Sequence, residues 1–83
     1  MKHPKLTVHR VVFLWKNLSN MNNYTPKKIA NELSIILGYN PISITLLAQQ
    51  SLDETVRSES IQAYYYLMEE EMIRNSIELS IMG

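Results

Sequence analysis

Apolar and polar positions alternate along this chain with a helical period almost throughout. In residues 5–19, Val8, Val11, Val12, Leu14, Trp15 and Leu18 share one broad face, while Lys5, His9, Arg10, Lys16 and Asn17 take the other. Leu6 and Phe13 are exceptions to that division. The β-branched residues between Leu6 and Phe13 also suit a strand, but the length of the pattern favours a helix over about 5–19, since strands usually stop near 5–6 residues. Asn20 to Asn23 read as a loop, because asparagine side chains compete with the helix for its own backbone. Thr25, Pro26 and Gly38 then supply an N-cap, a first helical residue and a stop. Between them Ile29, Ala30, Leu33, Ile36 and Leu37 form an apolar stripe, predicting a second helix over 25–37.

Asn40-Pro41 repeats the cap-and-proline start and predicts a short third helix over about 41–50, with apolar residues on several sides. Ser51 and Glu54 have the spacing of a reciprocal capping box. From there no Gly or Pro interrupts the chain until Gly83, and a fourth helix is expected over about 52–80, with Arg57 to Ser60 as a place where it could break. The fold class is therefore all-α: a small three- to four-helix domain, taken as one unit over 1–83, with a long last helix that pairs with a second copy.

Pairing is read from that last helix. Ile61, Tyr65, Met68, Met72, Asn75, Leu79 and Met82 are spaced 4-3-4-3-4-3, the repeat of a helix-pairing seam with one polar member. A second apolar line, Tyr66, Ile73, Ile77 and Ile81, runs along another side. Three short helices can cover one of these lines, leaving the other for a partner; the plain alternative is a bundle that covers both. The expected interface residues are Ile61, Tyr65, Met68, Met72, Asn75 and Leu79. Composition agrees, since 83 residues without cysteine form a thin core that small domains often supplement by association. Tyr64, Tyr65 and Tyr66 fit packing or an interface better than base stacking, given the neighbouring Glu69, Glu70 and Glu71.

Charge adds a second expectation. Residues 1–50 carry Lys2, Lys5, Arg10, Lys16, Lys27 and Lys28 against Glu32, whereas residues 51–83 carry seven acidic residues against Arg57 and Arg74, so a net charge of zero hides halves of +5 and −5. The halves either neutralise each other within the fold or mark a basic surface for a polyanion. Lys27 and Lys28 sit in the first turn of the second helix, where backbone N–H groups already attract anions. With Arg10 and Lys16 they are candidate phosphate contacts. Ser43, Thr45 and Gln49, with Gln50, are candidate base-edge groups on a third helix placed as in a helix-turn-helix. That third helix has no lysine or arginine.

No constellation for catalysis emerges. His3 and His9 are too few for a closed zinc site, adjacent Glu69 to Glu71 point about 100° apart on a helix, and two glycines do not make a phosphate loop. No cofactor is expected. No apolar run approaches a membrane span, and no signal peptide is read, so the chain is expected in the cytoplasm, without integral membrane association. Surface attachment through Phe13 and Trp15 is a minor reading. The expectation is a small non-enzymatic dimeric regulator, DNA-associated and transcriptional in the first reading. The alternative is an adaptor, inhibitor or antitoxin-like module that binds a protein through the last helix.

Overall fold

The computed structural model describes residues 7–21 and 23–82, with side chains up to residue 76. It contains four α-helices: α1 (Val8–Ser19), α2 (Pro26–Leu37), α3 (Pro41–Ala48) and α4 (Glu54–Met82). Residues 8–13 are helical, which settles the choice between helix and strand in favour of the helix there. Lys2, His3 and Lys5 lie outside the described residues.

Each helix starts where a side chain can accept a free backbone N–H. Thr7 accepts from Arg10 N at 3.2 Å, Thr25 from Lys28 N at 3.3 Å, and Asn40 from Ile42 N at 2.7 Å. Gly38 ends α2 in the left-handed region at φ 75°, its N–H bonded to Ser34 O. The start of α4 differs from the expected capping box. Asp53 is the cap, its carboxylate accepting from Thr55 N at 2.9 Å and Val56 N at 3.2 Å, while Ser51 Oγ accepts from Asp53 N. Ser51 is two residues too early to reach the helix, so it shapes the turn that delivers Asp53. Leu52 consequently stands outside α4 and is almost wholly exposed.

The core draws on all four helices: Val11 and Trp15 from α1, Ile29, Ala30 and Leu33 from α2, Ile44 and Ala48 from α3, and Val56, Ala63 and Leu67 from α4. Ile36, placed on the α2 stripe by its spacing, is more than half exposed, as is Ile35. The short α3 buries Ile44 and Ala48 but leaves Leu46 half in solvent.

The row by which α4 meets the body is neither of the two expected lines. It is Val56, Ser60, Ala63 and Leu67, again spaced 4-3-4 but built mainly of small residues. Bulky Trp15, Leu33 and Ile44 come from the other helices, and small residues opposite them let the helices approach to packing distance. The Ser60 hydroxyl is satisfied within its own helix, donating to Arg57 O at 2.8 Å. No break occurs at residues 57–60. At 1.5 Å per residue α4 is about 43 Å long, matching the 44 Å long dimension of the molecule.

Candidate interaction surface

Since the small-residue row faces inward, both large-residue lines of α4 stay outside among the described side chains. Tyr65 and Met72 are each 67% exposed, Ile61, Tyr66 and Ile73 are also exposed, and Met68 is half-buried. Asn75 is exposed, while the side chains of Ile77, Leu79, Ile81 and Met82 lie outside the described residues. At 3.6 residues per turn the Ile61–Met72 row sits about 130° round the helix from the buried row. It therefore looks away from the body. The alternative in which the first three helices cover both lines does not hold for Ile61, Tyr65, Tyr66, Met72 and Ile73.

The inward row also ends early. Beyond Leu67 its continuation is Glu70 and Arg74, and every described position from Glu71 to Ser76 is exposed. Glu70 is tied to Lys27 at the start of α2 by an ion pair, the last strap between body and helix along this row. Beyond it Glu71 and Arg74 still line a recess with Asn31, Asn40, Pro41 and Ile42, while Met72, Ile73, Asn75 and Ser76 are exposed. The exposed apolar side chains Met72 and Ile73 there gain most from a second surface.

The basic residues divide. Lys27 pairs with Glu70, and Lys16 pairs with Asp53 at 3.2 Å. Lys28 lies 5.3 Å above the Tyr24 ring, and Arg10 is exposed on α1. Two of the four cations singled out for phosphate contact thus bridge the basic half of the chain to its acidic half. The Asp53 carboxyl is held below its ordinary value, chiefly by the Val56 N–H bond and then by Lys16. Trp15 is fully buried, which leaves Phe13 alone as a surface anchor on α1. Its Nε1 donates to Glu59 at 3.2 Å, and Ser19 Oγ donates to the same carboxylate at 3.0 Å.

The proposed base-reading set on α3 does not present one face. Thr45 is fully buried with its hydroxyl donating to Ile42 O at 2.7 Å, which removes it from any groove. Gln49 is half-buried, its Nε2 enclosed without a partner. Ser43 and Gln50 are exposed, but the apolar Leu46 lies between them.

One surface escaped the sequence reading. Phe13 and Leu52, both exposed, flank Val12 in a shallow apolar recess edged by His9, Lys16 and Gln50. Phe13 appeared as an exception on the polar side of α1 and as a membrane anchor beside Trp15, and Leu52 as the first residue of a helix that in fact begins later. Both deviations were the available signal. No protein-family model, curated protein or solved structure matches the chain.

Proposed function

We propose that this chain is a small non-enzymatic regulatory protein that works as a homodimer, joined through the outward row Ile61, Tyr65, Met68 and Met72 of α4. The observation that carries the reading is the division of α4 into an inward small-residue row and an outward row of tyrosine, methionine and isoleucine. Tyrosine and methionine suit interfaces because they bring large contact area with a polar or polarisable component. Met72→Glu tests it. The glutamate should raise the concentration for half-association at least about tenfold, a loss of about 1.4 kcal/mol, while helix content at high dilution stays unchanged. Unaltered association, read by light scattering across a concentration series, would count against this row as the joint.

A second reading, a DNA-associated regulator, is favoured by one feature: α2 and α3 are joined by the short turn Gly38-Tyr39-Asn40. Exposed Lys28 and Arg10 would contribute phosphate contacts, with Lys27 available only by giving up Glu70. Lys27→Ala with Lys28→Ala should lower the salt dependence of duplex binding by about two counterions. No duplex binding at low salt would remove this reading and leave the first intact.

A further inference from the structure

The spacing of the outward row goes further than its exposure. Ile61, Tyr65, Met68 and Met72 follow intervals of 4, 3 and 4, which read the same in both directions. That spacing allows either orientation; from the way the side chains layer and the charges fall in each, we infer that the second copy runs antiparallel, turned about a two-fold axis midway between residues 66 and 67; the inference rests on the dimer reading above. Ile61 then lies opposite the partner's Met72, and Tyr65 opposite the partner's Met68.

Three arguments favour this arrangement over others. The first is layer size. Antiparallel layers pair an isoleucine with a methionine or a tyrosine with a methionine, so each layer has similar bulk and two of them set a thioether against a phenol ring. A parallel pair would stack Tyr65 on its own copy and Ile61 on its own copy, giving layers of uneven width.

The second argument is charge. In the antiparallel register Glu69 shares a flank with the partner's Gln62, and Glu71 with the partner's Tyr64, each within two residues of level, so each carboxylate lies beside a hydrogen-bonding neutral group. Sliding one copy by one heptad towards its C-terminus places Glu69 against Glu69 and Glu71 against Glu71 across the axis, and like charges facing each other are destabilising. The third is position in the fold. Asn75 falls level with the partner's Ser58, polar beside polar. The C-terminal part of α4 then lies along the start of the partner's α4, and the helix dipoles oppose.

The chain has no cysteine, so a single label site can be introduced cleanly. Ser76 is exposed and lies beyond the paired row. Spin-labelled Ser76→Cys protein should give a distance between the two copies of about 28 Å or slightly more, from 19 residues of offset at 1.5 Å each. A parallel pair would place the same labels about 10 Å apart, one interhelical spacing. The long distance in a sample whose sedimentation mass is that of a dimer supports the inference. The short distance at dimer mass overturns the antiparallel orientation and leaves the dimer reading standing. A monomer mass overturns both.

Discussion

Asp53 starts the longest helix and also holds Lys16 of α1, so one carboxylate ties two helices together. Its carboxyl is lowered by the Val56 N–H bond first and by Lys16 second. A carboxyl lowered in the folded state contributes stability that is present above its ordinary value and lost as pH falls through the folded value. Thermal melts followed by circular dichroism should therefore show a loss of stability on acidification below the ordinary carboxylate value of 3.8. Asp53→Asn keeps a good cap but does not titrate, so it should flatten that part of the profile; an unchanged profile would show that other groups cause it. The sequence pointed to Ser51 and Glu54 at this junction because their spacing fits a capping box. It could not show that the turn leaves Ser51 two residues behind the cap at Asp53, since both residue types are good caps and only the path of the backbone chooses between them. Thr25, Pro26 and Gly38 were legible because each is demanded by one backbone geometry, and no neighbour competes for the role.

At the scale of the element, α4 shows why apolar periodicity alone misplaces a face. The large-residue lines drew attention because bulk and hydrophobicity are what a periodicity reading weighs. The body instead takes the row Val56, Ser60, Ala63 and Leu67, where two small residues let the other helices come close. Ala63→Leu should therefore destabilise the fold by about 1–3 kcal/mol through overpacking, measured by urea unfolding at a concentration below association. Tyr65→Ala on the opposite side should stay within about 0.5 kcal/mol under the same conditions, as exposed substitutions usually do. Equal costs would contradict the division into an inward and an outward face, and a larger cost at Tyr65 would mean that the two are exchanged. For α1 and α2 the sequence reading located most of the buried residues, because those helices carry one apolar stripe each. Ile36 fails the rule: at 100° per residue it lies at the edge of the stripe, about 70° round α2 from the centre of the buried Ile29, Ala30 and Leu33. The eight-residue α3 buries residues on more than one side and offered no single stripe to read.

For the molecule as a whole, the charge asymmetry is partly a device of the fold. Lys27 with Glu70 and Lys16 with Asp53 join the basic half to the acidic half, which leaves fewer cations for a polyanion than the sequence promised. The outward row of α4 was legible in the sequence as a series, since a 4-3-4 run of large apolar residues is visible without coordinates, but that it faces outward was not. The recess at Phe13 and Leu52 was not, because it joins residues from α1 and an interhelical turn. Among the described residues no helix is long and apolar enough to cross a membrane, so the exposed row on α4 is not accounted for by a bilayer span. The homodimer we propose would cover it. Sedimentation equilibrium of the native chain tests this most directly. The account predicts a mass of twice 9.7 kDa at high micromolar concentration, falling towards the single-chain value on dilution. A mass that stays at 9.7 kDa throughout that range would contradict it.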